Sequence, residues 1–320
     1  MTRSRPSWLA FGILLGLVLL SPACKEQPAA TKNAETPAPS ASAEKATTPG
    51  GQWETYTQQA DDLAAKNELV DAVAMYREAL KLKSDFNKAR VNLGSALMRL
   101  ERYGEAAVEY TTALQADPGL AAAHINLASI LLIDNKLDEA LPHLVSALKD
   151  SPDVPDVHRH LGFIYKEKRD YRKAIDHFRR LTELSPKENK PWVDLGLTQL
   201  AAGQSAEGIQ SLRAATERPE ASVLAFQSLA WALATHRDAG IRNGAEAVKN
   251  AEQAVALADD TTLPSALRAL AAAQAEKGDF QAGKATLNRA IKLVTNKDKA
   301  AEDKLYEDLF MLESSRPLRD

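Results

Sequence analysis

The sequence predicts an all-α protein, a superhelical solenoid built from antiparallel helix pairs. Three observations support this fold class: a period of 34 residues, a small residue after a leucine in each period, and a proline near the end of several periods. The leucines are Leu93, Leu127, Leu161, Leu195 and Leu229, and the residues that follow them are Gly94, Ala128, Gly162, Gly196 and Ala230. A fixed period of this length is typical of repeat arrays, in which stacked units bury a continuous core.

Each period is predicted to hold two helices joined by a short turn. Leu93 and Gly94 fall on one stripe of the first helix, and Tyr110 falls on the matching stripe of the second. The glycine lets the two backbones approach closely, and Tyr110 fills the space beside it. Pro118 cannot continue a helix and therefore ends the unit.

This pattern resembles the tetratricopeptide repeat. Residues 155–188 match it well, through His158, Leu161, Gly162, Tyr165, Ala174, Phe178, Leu181 and Pro186. Within a solenoid over residues 53–320, the resemblance implies about seven units and a C-terminal capping helix. The units lie near 53–86, 87–120, 121–154, 155–188, 189–222, 223–263 and 264–297, and the capping helix lies near 298–313. The sixth unit has a longer turn than the others, around His236 to Asn243.

Residues 1–23 are predicted to be a signal peptide. Arg3 and Arg5 precede an apolar run over residues 8–20. As a helix this run would span about 20 Å, less than the hydrocarbon core of about 30 Å, which disfavours a transmembrane helix. The basic flank and the short apolar run are typical of a secretory signal.

The apolar run ends shortly before Cys24, the only cysteine of the chain. A small residue directly before this cysteine resembles the bacterial lipoprotein signal, in which the cysteine becomes the acylated first residue of the mature protein. Ser21 stands where that family usually has leucine. The alternative is a secretory signal cleaved near Ala23 without a lipid. Because Lys25 follows the cysteine, the resemblance implies the outer membrane, with the protein facing the periplasm.

Residues 24–52 are predicted to form a disordered tether. They contain alanine, proline, serine, threonine and balanced charges, but no large apolar side chain. Such a segment buries too little surface to offset the entropy lost on ordering. As a flexible coil it would have a root-mean-square span of about 30 Å.

Composition and charge narrow the function classes. A net charge of −3 argues against nucleic acid as a partner, and a single thiol allows neither an internal disulfide nor a cysteine zinc cage. No Ser-His-Asp order and no HExxH motif occurs, so we expect no catalytic residue, no metal site and no cofactor. Residues 278–284 imitate a phosphate loop, but Ala285 stands where that motif needs serine or threonine, and Gly278 matches the turn glycine Gly203.

Four histidines also follow the period. His124 and His158 stand where Trp192 stands in the fifth unit, and are expected to pack against the next helix. His143 and His177 lie one unit apart on second helices and are expected to stack on each other at the surface.

The resemblance implies that first helices line a concave groove. The groove residues predicted for a partner are Asn92, Ile125, Asn126, Ser129, Arg159, His160, Phe163 and Asp194. Stacked amides at Asn92 and Asn126 could bond a peptide backbone, but His160 and Asp194 interrupt the series. Ile125 and Phe163 fit either a partner site or packing against neighbouring units.

The predicted function is a non-catalytic, membrane-anchored scaffold of the bacterial cell envelope that binds another protein or peptide in the groove and assists assembly of an envelope or pilus complex. The membrane would be reached through the lipid anchor only. Two alternatives stay open: a non-catalytic subunit of a glycan- or polysaccharide-processing complex, and a secreted tetratricopeptide binding protein without a lipid.

Overall fold

The computed structural model describes residues 51–295 and 297–319, and over these ranges it consists of fifteen α-helices without a strand. The helices are α1 Gln52–Ala65, α2 Leu69–Leu82, α3 Asn87–Arg99, α4 Tyr103–Ala116, α5 Ala121–Ile133, α6 Leu137–Asp150, α7 Pro155–Glu167, α8 Tyr171–Leu184, α9 Asn189–Ala201, α10 Ser205–Thr216, α11 Val223–Thr235, α12 Gly244–Leu257, α13 Leu263–Glu276, α14 Phe280–Val294 and α15 Lys299–Glu313. The all-α solenoid is confirmed. The predicted signal peptide, Cys24 and the predicted tether up to residue 50 lie outside the described residues.

The same turn ends the first helix of each of the first five pairs. A left-handed residue stands there at Asn67, Glu101, Asn135, Arg169 and Gly203, with φ between 57° and 79°. The following N–H bonds back across the turn, as from Glu68 N to Leu63 O at 2.9 Å. This Schellman arrangement satisfies carbonyls at the helix end. Glycine adopts it without strain, so Gly203 and Gly278 (φ 79° and 96°) are turn residues, as predicted.

The small residue after each leucine brings the two helices of a unit into contact. A Cβ added at Gly94 would lie 2.6 Å from the Tyr110 ring, and one at Gly162 would lie 2.6 Å from the Phe178 ring. At Gly196 an added Cβ would lie 2.8 Å from the Leu212 side chain. The aromatic or aliphatic side chain of the second helix therefore occupies the space that a larger residue would need.

Buried side chains form separate clusters over the first four units, and the first of these clusters extends from α1 to α5. Leu161 is fully buried in a cluster built by α5, α6 and α7, between its own unit and the preceding one. A further cluster around Phe178 and Leu195 joins α8 to α9. The first helices α7 and α9 touch each other less than any other two successive first helices. The joint between the fourth and fifth units therefore depends on α8.

The last three units and α15 share one continuous cluster, which extends from Val193 to Leu318. The turn of the sixth unit, residues 236–243, is longer than the others, as predicted. Beyond α15, residues 314–319 turn back toward α11 and α13, and we name them the return segment. Leu318 of this segment is only 5% exposed and belongs to the continuous cluster.

Candidate binding groove

The first helix of each unit lies on the inner side of the solenoid. Successive first helices contact one another in the pairs α1–α3, α3–α5, α5–α7, α9–α11 and α11–α13, whereas no two successive second helices of the described residues come as close. A stack whose first helices are nearer together than its second helices must curve toward the first helices. The concave face is therefore lined by first helices, as the resemblance implied.

The two predicted amides bond to the preceding unit. Asn92 Nδ2 donates to Asp61 Oδ1 at 3.0 Å, and the same oxygen accepts from the Tyr76 hydroxyl at 2.5 Å. Asn126 Nδ2 donates to Ser95 Oγ at 3.3 Å. Burial and the neighbouring Asp61 carboxylate raise the pKa of Tyr76 above its ordinary value, so this hydroxyl stays a donor. Both amides thus tie neighbouring first helices together.

The predicted apolar residues contribute to packing between units. Ile125 and Phe163 are partly buried and pack against the cluster that holds Leu161. Ser129 is 9% exposed, and its hydroxyl donates to the carbonyl oxygen of Ile125 at 2.9 Å. Only part of each apolar side chain is therefore left for a partner, and the Ser129 hydroxyl is turned back onto its own helix.

The charged members of the predicted site form ion pairs along the groove. Arg159 lies 3.7 Å from Asp156 and 3.5 Å from Glu188, and Asp194 lies 3.2 Å from Lys190. His160 is different because its Nδ1 is buried without a hydrogen-bond partner among the described residues. Burial lowers the pKa of His160, which keeps its ring neutral near neutral pH.

The histidines pair within units, so the predicted stacking of His143 on His177 is wrong. His124 Nδ1 lies 2.8 Å from His143 Nδ1, and His158 Nδ1 lies 3.1 Å from His177 Nδ1. The outer nitrogens of His124 and His158 face the carbonyl oxygens of Pro118 and Pro152 and donate to them. The Nδ1 of these two rings is then the acceptor, and the ring on the second helix donates. The two histidines of each pair are 19 residues apart in the sequence, so the 34-residue period does not indicate that they are in contact.

A cavity lies farther along the concave face, in the fifth to seventh units. It has a volume of about 340 Å³ between α9, α11 and α13, and it is lined by Leu197, Leu200, Gln227, Ser228, Trp231, Ala232, Ser265 and Arg268. The Arg268 guanidinium lies 4.2 Å from the centre of the Trp231 ring, and its Nε lies 2.5 Å from Asp308. The Arg268 charge is thus balanced inside the groove.

Sequence reasoning ended the groove at the fifth unit and missed this cavity, although the period contained the signal. Phe163, Leu197 and Trp231 are 34 residues apart, so the position that holds Phe163 in the fourth unit holds a tryptophan in the sixth. Leu197 is 37% exposed, so part of this large apolar side chain is open at the cavity. The two features together favour a binding surface there.

The described residues hold neither a group of three or more histidine, cysteine or acidic side chains placed to bind a metal ion, nor a helix with the length and apolar character needed to cross a bilayer. The described groove offers apolar surface, amide and hydroxyl groups, and paired charges. Such a lining can hold an extended polypeptide segment through side-chain contacts and backbone hydrogen bonds.

Comparisons with known proteins agree with this architecture. Tetratricopeptide repeat family models match residues 57–121, 97–159 and 155–188. The crystal structure of a tetratricopeptide repeat protein from Parabacteroides merdae is similar at 17% identity with a TM-score of 0.56, over 82% of this chain and 100% of that one. A MamA RS-1 double mutant is similar at 18% identity with a TM-score of 0.50, over 53% of this chain and 96% of that one. No curated protein matches the sequence.

The two solved structures are similar in fold. The family matches cover the part of the chain with the most regular period, and past residue 188 the helices α9 to α14 continue the same pairwise arrangement, followed by α15. The 34-residue period, the hairpin turns and the family matches lead to one conclusion: residues 57–188 consist of tetratricopeptide repeats, and the described helices beyond them continue the same fold.

Proposed function

We propose that this chain is a non-catalytic scaffold that binds another protein or peptide along its concave face, while a lipid on Cys24 holds it at the bacterial cell envelope. The observation that carries the binding half is the cavity of about 340 Å³ lined by Leu197, Trp231 and Arg268. Apolar anchors with nearby amides and hydroxyls are the chemistry with which grooves hold extended segments. Tetratricopeptide repeats generally act as interaction modules without chemistry of their own, which supports the same proposal.

Site-specific crosslinking in intact cells tests the binding half. A photoreactive residue at Leu197, on the concave face, should yield an adduct with a discrete partner. The same residue at Arg179 is the matched control, because Arg179 lies on the second helix α8 with its side chain 55% exposed. Adducts from Arg179 but not from Leu197 would place the partner on the convex face and contradict the proposal.

A double substitution examines the part of the groove predicted from sequence. Phe163→Ala with Asn126→Ala should weaken partner capture at least tenfold, equivalent to about 1.4 kcal/mol. Because both side chains also pack or bond within the solenoid, thermal melting is measured on the same variant. A lower melting temperature with unchanged capture by the folded protein would assign these two residues to packing alone.

The anchoring half is supported by the position of Cys24, the only cysteine, directly after the predicted signal peptide. Cys24→Ser should abolish acylation and release a soluble form. One acyl chain binds a membrane only marginally, whereas several chains anchor firmly. Mass spectrometry of the mature N-terminus decides the point, since a mature protein without an acylated Cys24 would contradict the lipoprotein proposal.

A further inference from the structure

The return segment contacts the C-terminal ends of α11 and α13. It leaves α15 through a left-handed Ser315 (φ 53°) and then continues to Arg319 without regular secondary structure. Leu318 is buried in the continuous cluster, whereas Arg316 stays exposed. One apolar side chain therefore anchors a segment that otherwise lies on the surface.

Arg319 completes the contact through its guanidinium group. Its Nη2 lies 2.7 Å from Glu276 Oε2, and its Nη1 donates to the carbonyl oxygen of Ala234 at 3.2 Å. Glu276 is held from the other side by Arg242, whose Nε lies 2.8 Å from Oε1. A fixed carboxylate beside a helix-end carbonyl forms a receptor for a guanidinium, favoured further by the negative end of the α11 dipole.

The longer turn of the sixth unit creates this receptor. The first helices α1, α3, α5, α7 and α9 end in a Schellman turn that covers their last carbonyls with backbone N–H groups. In α11, Asn243 N donates to Leu233 O at 3.0 Å, and Ala234 O accepts from Arg319 instead. The Arg319 side chain thus pairs with a carbonyl oxygen at the end of α11, where the Schellman turn of the other units would supply a backbone N–H group.

Open space continues beside the bound segment. A second cavity of about 390 Å³ lies between Trp231, Arg268, Phe310, Met311, Leu318 and Arg319. It meets the first cavity at Trp231 and Arg268, which line both. The return segment therefore covers one end of the groove and leaves room alongside for a longer polypeptide.

We propose that the return segment is a built-in, displaceable occupant of this end of the groove, and that the partner is an extended polypeptide that presents an aliphatic side chain followed directly by an arginine. The inference rests on the proposed scaffold function and names the chemistry of its partner. The Glu276 carboxylate would pair with the arginine of the partner, and the partner's aliphatic side chain would occupy the apolar site that Leu318 fills. Binding then requires that the partner displace the chain's own Leu318 and Arg319.

A labelled peptide of residues 314–320 tests the proposal by fluorescence anisotropy. The wild-type full chain should bind it weakly, because an attached segment competes at an effective concentration of about millimolar. Arg319→Glu, which sets a negative charge against Glu276, should free the site and tighten peptide binding at least tenfold. Leu318→Ser with Arg319→Glu covers the case in which leucine alone retains the segment. Arg316→Glu, a charge reversal at an exposed position of the same segment, should leave binding unchanged.

Two further binding measurements test whether Glu276 binds the arginine of the peptide. The peptide with glutamate in place of its second arginine should not bind, and Glu276→Gln added to Arg319→Glu should weaken binding at least tenfold. Equal peptide affinity for the wild type, Arg319→Glu and the double variant, each folded by circular dichroism, would overturn the proposal and make the return segment a structural cap. The Leu197 crosslink in cells tests the scaffold function independently of peptide binding, so failure of this proposal and failure of the scaffold function would be distinguishable.

Discussion

Units one to four divide their hydrophobic core among several clusters that each span neighbouring units, whereas units five to seven share a single cluster with α15. In the first region Leu161 belongs to one small cluster, and neighbouring first helices are also tied by Asn92 and Asn126. In the second region α13 packs closely against both α11 and α12, and alanines fill the narrow space between them. The same repeat can thus yield a core divided into several clusters or one continuous core, depending on how closely successive units approach.

A buried charge should give the largest effect and separate the two regions most clearly. Leu161→Asp and Leu233→Asp each place an unpaired carboxylate at a fully buried position, at a cost of several kcal/mol. We expect Leu161→Asp to expose mainly α5 to α8, and Leu233→Asp to expose α9 to α15 together. Hydrogen exchange by mass spectrometry measures both. Uniform loss of protection along the whole chain in both variants would refute the division into two regions.

Two glycines provide the next comparison. Gly162→Ala directs a Cβ at the Phe178 ring, and Gly244→Ala directs one at the backbone nitrogen of Lys277, 2.8 Å away. Each should destabilise by about 2 kcal/mol through overpacking. Phe178→Leu should rescue Gly162→Ala, because it replaces the ring that the new Cβ meets with a smaller side chain. No substitution can rescue Gly244→Ala in this way, because the atom that its Cβ meets belongs to the backbone of Lys277. Denaturant unfolding of the single and double variants is the measurement, and an unrescued Gly162→Ala would show that the ring is not the obstacle.

Acid should affect the first region more than the second. Burial and the adjacent His158 lower the pKa of His177 to about 4 from its ordinary 6.5, and burial also lowers the pKa of His143. The unfolded chain therefore takes up protons first as pH falls, so this stability is present above about pH 6.5 and is lost toward pH 4. With allowance for partial exposure we expect a loss of about 1 kcal/mol, or about 3 °C in melting temperature.

His177→Gln should reduce this pH dependence. The second region has one histidine, His236, so hydrogen exchange at pH 7 and pH 5 should differ more for α5 to α8 than for α11 to α14. Equal acid sensitivity in both regions would assign the effect to carboxylates instead.

The smallest expected effect is a stabilisation. Arg169 adopts a left-handed conformation (φ 60°) at the turn where the fifth unit has Gly203. Arg169→Gly should stabilise the fold by about 1 kcal/mol, because a residue with a side chain is sterically strained in the left-handed backbone conformation and glycine is not. Gly203→Arg is the reciprocal change and should cost a similar amount. Thermal melts of both compare the two regions at one equivalent position, and a destabilised Arg169→Gly would contradict the argument.

The fold could be predicted from sequence because each helix pair repeats the same local physics. A leucine and glycine at fixed spacing determine where the backbones touch, and the period extends that contact along the chain. The site was harder to predict, since whether Asn126 faces a partner or Ser95 depends on the geometry between units. The histidine pairs and the return segment could not be derived at all, because they join positions that no period relates.

The sparse contact between α6 and α7 gives the solenoid a point of mechanical compliance. A second helix contacts the following first helix less there than at any other joint between units, so bending strain would concentrate at the cluster around Leu161. A pull applied to both ends of the chain would therefore open the curve there before it disturbed the units on either side. In an optical-tweezers experiment the first extension step should correspond to the parting of α6 from α7, with the Trp231 cavity still intact on one side of the break.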